Sequence, residues 1–351
     1  MERDKSPGNR QDLSSESLQL LVDSALDGIV TMDAYGRIIA FNPAAEKIFG
    51  YGRSEVIGQL VSKKLIPPKG RAAHDKGLKH FLTTGEKKII GRRIELEAMR
   101  AGGSTFPAEI AVISVSPGKE PVFIAYIRDI SDRKEWAEER IEYAENIKRT
   151  LLQTLLAVSK TVEIRDPYTA GHQRRVAHLA ASIARVMGLS DEEVEGIFLG
   201  ALIHDIGKIA VPSDILSRPG ELRDEDASYL KIHCHKGYEI LKPVDFPWPI
   251  AEIALQHHEH LDGSGYPQGL QGSEILPEAR IVCIADVVDA MTSHRPYRPA
   301  ISLQEALTSL SAKAGRWYDR DAVEACIELF EEGYRIDAAN LEELAWLISP
   351  K

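Results

Sequence analysis

The stretch DEEVEGIFLGALIHDIGK, Asp191 to Lys208, opens acidic, turns apolar and closes on a histidine–aspartate pair. Apolar residues every three or four positions predict a helix that buries Val194, Ile197, Phe198 and Ala201 and delivers His204 and Asp205 into apolar surroundings. An ionised aspartate buried there is costly unless a hydrogen-bonded partner or a metal cation compensates it. Outward from this stretch the pattern repeats. His172 shares a helix face with Val176, Leu179, Ile183 and Val186 and points inward, whereas His178, about 240° around the same helix, is expected in solvent. Ile250, Ile253 and Ala254 lead into His257 and His258, and RIVCIADVVDAM carries Asp286 and Asp289 in an almost wholly apolar run. Eight of the eleven histidines fall between His172 and His260. Each residue alone is more often a satisfied core side chain. Together, imidazoles and carboxylates without thiolates suit Fe, Mn, Zn or Ni, and adjacent His-Asp and His-His pairs divide naturally between two ions.

The remainder bounds the answer. A chain of 351 residues predicts two domains and a connector. With 44% hydrophobic and 27% charged residues, disorder and collagen are excluded. A net charge of −10 argues against broad binding to nucleic acid or an anionic membrane, leaving a small molecule or a protein as partner. Cys234, Cys283 and Cys326 form no CxxC pair, and the amino terminus shows neither a signal peptide nor a membrane span, so a cytoplasmic protein is expected.

Residues 1–16 read as a mobile polar tail. A helix over Leu18–Leu26 follows, then a hairpin (GIVTMD, RIIAFN), a helix from Asn42-Pro43 to Gly50, and strands over Lys88–Ala98, Phe106–Val115 and Val122–Asp129, with turns at Gly102-Gly103 and Pro117-Gly118. This predicts a multidomain chain that begins with an α+β module of five antiparallel strands over 17–132. Residues 133–162 read as a connector helix, on which Ile141, Ala144, Ile147, Leu151, Leu155, Val158 and Val162 form either a coiled-coil seam between two copies or a face docked on its own domain. Beyond it the period is helical throughout, predicting an all-α domain.

Residues 150–345, through RDPYTAGHQRRV, HDIGK, KIHCHKGYEIL, HHEHLDGSGYP and ADVVDAMTSHRPYR, resemble the HD-GYP family, the HD phosphohydrolases that act on cyclic di-GMP. The resemblance implies two divalent metal ions, Fe or Mn favoured, held by His172, His204, Asp205, His233, His257, His258 and Asp286, with Asp205 bridging. The glutamate that holds a third metal in some members falls on Tyr168 here. Asp205 and Lys208 are the catalytic candidates, Lys208 donating to the phosphate or leaving oxygen. Substrate contacts are expected from Lys208, Gly265, Tyr266, Pro267, Asp289, Arg295 and Arg298; the two arginines can clamp a phosphate, stack on guanine or pair with Asp289. His235 and His260 read as surface or supporting residues beside the ligands. The implied activity is hydrolysis of cyclic di-GMP to pGpG or GMP. The alternatives are an HD phosphohydrolase for another nucleotide or a non-catalytic signalling scaffold. Implied partners are diguanylate cyclase (GGDEF) domains and a second copy of the chain.

Residues 17–132, from LLVDSALDGIVTMDAYGRIIAFNPAAEKIFGY to YIRDISDRK, resemble a PAS sensor domain. The segment RAAHDKGLKHFLTTGEKKIIGRRIELEAMRAGGSTFPAEIAV is similar to heme-containing oxygen sensors, which implies His74 as heme ligand, with His80 as the alternative. The distal arginine of those sensors falls on Ile94, with Arg93 one place off on the opposite strand face.

Overall fold

The structure, a computed structural model, describes residues 14–116, 120–166, 171–218, 223–294 and 299–335. Two compact units divide between Glu142 and Tyr143. The first contains helix α1 (Ser15–Asp23), strands β1 (Gly28–Met32) and β2 (Ile38–Phe41), helices α2 (Pro43–Phe49), α3 (Arg53–Val56), α4 (Val61–Lys64) and α5 (Pro68–Thr84), and strands β3 (Arg93–Met99), β4 (Thr105–Val115) and β5 (Val122–Asp129). All pairings are antiparallel, in the order β2-β1-β5-β4-β3, so the last strand in sequence is central. The first helix lies earlier than the expected Leu18–Leu26. Strand β3 starts at Arg93 and not at Lys88, because the chain turns at Gly91, whose N–H bonds to the Val112 carbonyl. The Pro117-Gly118 turn and residues 1–13 of the expected tail lie outside the described residues.

Val30, Ile38, Phe41, Phe49, Phe106 and Ile127 form the core of this unit. Beside it, between the sheet and α5, an apolar cavity of about 750 Å³ is lined by residues that include Leu65, Leu78, Phe81, Ile94 and Ile110. Ile94 thus faces the cavity, while Arg93 is exposed and pairs with Glu109 at 3.2 Å.

Helix α6 (Ser131–Arg165) runs from the first unit into the second. There follow α7 (His172–Val186), α8 (Asp191–Ile203), a 3-10 turn (Ile206–Ala210), α9 (Ser213–Leu216), α10 (Asp224–Leu241), α11 (Ile250–Gln256), α12 (Pro277–Thr292), α13 (Leu303–Ser311) and α14 (Arg320–Glu331). No strand occurs in this unit among the described residues. Helix α8 is the axis of its core. Ser190 and Glu193 form a reciprocal cap at its start, and every residue from Gly196 to Ile203 is buried, as expected of a helix packed on all sides. Leu179 and Ile183 of α7, Ile253 of α11, Ile284 of α12 and Leu155 and Val162 of α6 belong to the same core.

The candidate seam on α6 is therefore split. Its carboxy-terminal half docks on its own unit, whereas Ile141 and Ile147 remain 56% and 52% exposed. No helix among the described residues is long and apolar enough to cross a membrane.

One polar side chain ties the first unit together. Buried Asn42 accepts the N–H groups of Ala45 (2.9 Å) and Ile29 (2.8 Å) and donates to the carbonyls of Val22 and Asp27 (both 3.1 Å). It thereby caps α2 while joining α1 to β1. Asn42→Ala is expected to destabilise this unit by about 2–4 kcal/mol, as a lost cap with orphaned buried groups; a loss below about 1 kcal/mol in urea denaturation would refute that role.

Candidate metal centre

Helices α7, α8, α10, α11 and α12 bring together what the sequence scatters. Asp205 is the hub. Its Oδ2 lies 3.7 Å from His172 Nε2 and 3.5 Å from His204 Nε2, and its Oδ1 lies 3.4 Å from His233 Nε2. His233 Nε2 is in turn 3.3 Å from His257 Nε2. Asp286 Oδ1 approaches His172 Nε2 at 3.2 Å, and its Oδ2 lies 3.9 Å from His258 Nδ1. The approach of the HDIGK turn to α10 depends on Gly207, since a Cβ there would meet the His233 carbonyl oxygen at 1.9 Å.

The imidazoles are oriented from behind. His204, His233 and His257 donate Nδ1–H to the carbonyls of Ala201 (2.6 Å), Leu230 (2.5 Å) and Ala254 (2.9 Å), one turn back on the chain. His172 Nδ1 faces Asp289 Oδ2 at 2.7 Å. In His204, His233 and His257, Nδ1 being spent on a carbonyl, Nε2 carries the lone pair and points at the cluster, the arrangement found where histidine binds metals; His172, held between Asp289 and Asp286, carries its proton until a cation displaces it. Burial pushes His233 and His257 down, and His258 to about 3, so all three stay neutral and ligand-competent. Burial also opposes charge on Asp205 and Asp286, but Lys208 and the imidazoles around Asp205, and His172 above all beside Asp286, outweigh it and hold both carboxylates well below their usual range. The Nε2 atoms of His172 and His204 are buried without a hydrogen-bond partner. Neutral lone pairs, ionised carboxylates and orphaned nitrogens on one point are a donor set that fits divalent cations. Candidate groupings are His172, His204 and Asp286; His204, Asp205 and His257; and His233, Cys234, His257 and His258.

Several expectations change. Asp289, expected at the substrate or beside Arg295 and Arg298, is buried behind His172 and held by Arg175 (Nε–Oδ1 2.6 Å), because α7 and α12 pack face to face. It supports a candidate ligand. Lys208 is a buried cation 2.7 Å from Asp205. His178 is half-buried, its ring edge-on to Phe198 at 5.6 Å, where solvent was expected. His235 is exposed and pairs with Glu239, and His260 stacks on Trp317 at 4.6 Å. Cys234, set aside in the sequence, has Sγ 3.5 Å from His233 Nε2; burial raises its thiol and keeps it protonated. Tyr168, Arg295 and Arg298 lie outside the described residues, as do 336–345 of the expected second domain.

The loop after α11 covers the cluster. Tyr266 packs against His258 at 4.8 Å, with the Tyr266-Pro267 bond cis. Gly265 is required by contact, a Cβ there falling 2.4 Å from His260 N. Glu259, which carried no role in the sequence, accepts the N–H groups of Gln268, Gly269 and Leu270 and so folds the loop on itself. A pocket of about 290 Å³ opens here, lined by Asp205, Lys208, His233, His258, Tyr266 and Asp286 with Leu230, Val287, Ala290 and Met291. In the first unit, His74 and His80 both line the apolar cavity; His80 Nε2 is engaged by Glu86 at 2.7 Å, and His74 Nδ1 by Asp75 at 3.1 Å.

Residues 157–322 match the family model of the HD domain, and residues 26–132 that of the PAS domain. The chain is 44% identical over 177 residues to the cyclic di-GMP phosphodiesterase response regulator RpfG of Xanthomonas campestris, an alignment covering 50% of this chain and 47% of that protein. It is 41% identical over 184 residues to a cyclic di-GMP phosphodiesterase of Thermotoga maritima, covering 52% and 50%. It is 33% identical over 192 residues to 3'3'-cGAMP-specific phosphodiesterase 1 of Vibrio cholerae, covering 54% and 44%. The chain thus spans about half the length of the curated relatives it matches.

The cluster makes stability depend on pH. Burial favours a neutral His172, but Asp286 and Asp289 outweigh it and push the ring up from 6.5 to about 9. A raised value contributes stability that is complete below 6.5 and lost as pH rises through about 9. His233, His257 and His258, with lowered values, cost stability only below 6.5. In chelator, the melting temperature of the second unit is therefore expected to fall between pH 6.5 and 9, and His172→Gln to flatten that fall; a wild-type profile flat across this window would refute the charge assignment.

Proposed function

We propose that this chain, which carries a PAS domain followed by an HD domain, is a metal-dependent phosphodiesterase that opens cyclic di-GMP to pGpG or GMP under control of the PAS domain. The observation that carries the reading is the convergence of imidazole Nε2 atoms and two ionised carboxylates on a pocket that also holds a buried lysine. In this reading residues 17–132 are the sensor, 133–162 the connector and 150–345 the catalytic domain. His172, His204, Asp205, His233, His257, His258 and Asp286 would hold two divalent ions; the resemblance favours iron or manganese, and nitrogen and oxygen donors beside a protonated thiol are compatible with either. Asp205, whose two oxygens face different histidines, would be the ligand common to both. When bound, such ions supply an acidified water and neutralise the charge of a phosphodiester.

The chain's own groups do the rest. Lys208 keeps a proton at Nζ, 2.7 Å from Asp205, for a phosphate or leaving oxygen. Gly265, Tyr266 and Pro267 form the lip of the pocket, and Val287, Ala290 and Met291 give a guanine base an apolar wall. Arg295 and Arg298 are assigned to the second phosphate. The loop around Tyr266 is also the contact assigned to GGDEF domains, and the exposed Ile141 and Ile147 support a homodimer through the connector. For the sensor cavity, apolar walls and His74 support heme as the occupant, and reconstitution should give a Soret band that His74→Ala removes. The similarity to a 3'3'-cGAMP-specific enzyme favours that dinucleotide as a second reading.

The test is anaerobic purification with metal analysis, then product chromatography after incubation with each dinucleotide in turn. About two metals per chain and linear products are expected. The double variant His204→Ala, Asp205→Ala should lose metal and at least about 10³-fold in turnover while keeping its helical spectrum. Turnover retained in that variant would sink the assigned site.

A further inference from the structure

Two buried carboxylates at the end of α6 have no part in the chemistry above. Glu163 is 4% exposed and Asp166 7%. The Oε1 of Glu163 accepts the N–H of Gly171 at 2.9 Å, while its Oε2 lies 3.5 Å from Lys160. Gly171 caps α7 in a left-handed conformation (φ +72°) without a side-chain cap of its own, and the next residue is His172. In a capping box, the N–H of the cap residue is satisfied by an acid three places into the same helix. Here that place holds Arg174, and the acid comes from a different helix. One peptide link therefore separates Glu163 from the imidazole that meets Asp205 and Asp286. Asp166 makes the second contact, 3.6 Å from the Lys208 ammonium, which also lies 2.7 Å from Asp205.

We propose that Glu163 is a positioning residue for the metal centre, and that by holding Gly171 it fixes where His172 enters the ligand set. The last turn of α6 then sets metal affinity, although it contributes no ligand, and Asp166 anchors the same turn to Lys208. The inference rests on the reading of His172 as a ligand. It gives α6, which begins directly after the central strand β5, a defined point of action on the site.

The test is titration of the chelator-stripped full chain with Mn²⁺, without substrate, alongside melting temperatures. Glu163→Ala should weaken Mn²⁺ binding by about tenfold or more, the range seen when residues behind metal ligands are removed. Glu163→Gln retains an amide oxygen for the Gly171 N–H and should bind within about threefold of wild type. Leu155→Ala, a buried apolar truncation on the same helix, should lower the melting temperature and leave Mn²⁺ affinity unchanged. Wild-type affinity in Glu163→Ala, equal weakening by Leu155→Ala, or failure of Glu163→Gln to rescue would each overturn the proposal. A wild-type chain that takes up no Mn²⁺ would instead overturn the metal-centre reading, and this inference with it.

Discussion

Two aspartates ionised inside a helical core are the constraint around which the second unit is arranged. Neither Asp205 nor Asp286 could keep its charge in an apolar interior without compensation, and burial alone would neutralise both. Compensation comes from imidazoles on α7, α10 and the end of α11, from His204 beside Asp205 and from one buried lysine, so α7, α10 and α11 must close on the end of α8 together with α12, which brings Asp286. The apolar packing provides the frame for that closure. Leu179, Phe198, Ile253 and Ile284 hold the helices together, while Gly207 and Gly265 remove the side-chain bulk that would keep their backbones apart. Four of the imidazoles, those of His172, His204, His233 and His257, are then aimed by a bond made on the far side, so that much of the cluster's geometry is set by atoms that do not touch it.

That division explains what the sequence discloses. The inward face of α7, the apolar α8 and the paired residues His204-Asp205 and His257-His258 follow from a 3.6-residue period, a local property readable without a structure. Supporting contacts are not local. Asp289 reads as a partner for arginines a few places onward, which lie outside the described residues, but nothing near it in sequence announces the partners it has on α7, His172 and Arg175, more than a hundred positions away. Glu259 sits inside an evident motif, but its task is closing the loop through three backbone N–H groups, and no residue pattern specifies which backbone a carboxylate will meet. His178 fails for a related reason. The helical wheel places it off the inward face, but α8 covers that side too, and Phe198 takes up the ring.

The first unit divides the same way. Its strands and the Asn42 cap follow from alternation and turn chemistry, and four of the five strands fall within a residue or two of their expected bounds. The occupant of its cavity is less legible, since apolar walls record the volume and polarity of a ligand, and only the histidines on the wall add a donor. The connector lies between these cases. Its period states that one face is apolar, but only packing reveals that Leu155 and Val162 on it are buried while Ile141 and Ile147 are exposed.

The scatter of the candidate ligands from α7 to α12 has a consequence for the life of the protein in a cell. Cations gathered by such a set bind the folded arrangement and find no equivalent in the open chain, so binding adds to folding stability by mass action, about 2.7 kcal/mol at a hundredfold excess over Kd. For a domain of ordinary marginal stability that increment is a large share of the whole. If the proposed ions are bound, a chain emptied of them would open to proteases more often, and the fraction lost would grow with each such opening. Metal supply would then govern how many copies persist as well as how fast each one works, and a period of starvation would be remembered as missing protein after the metal returned.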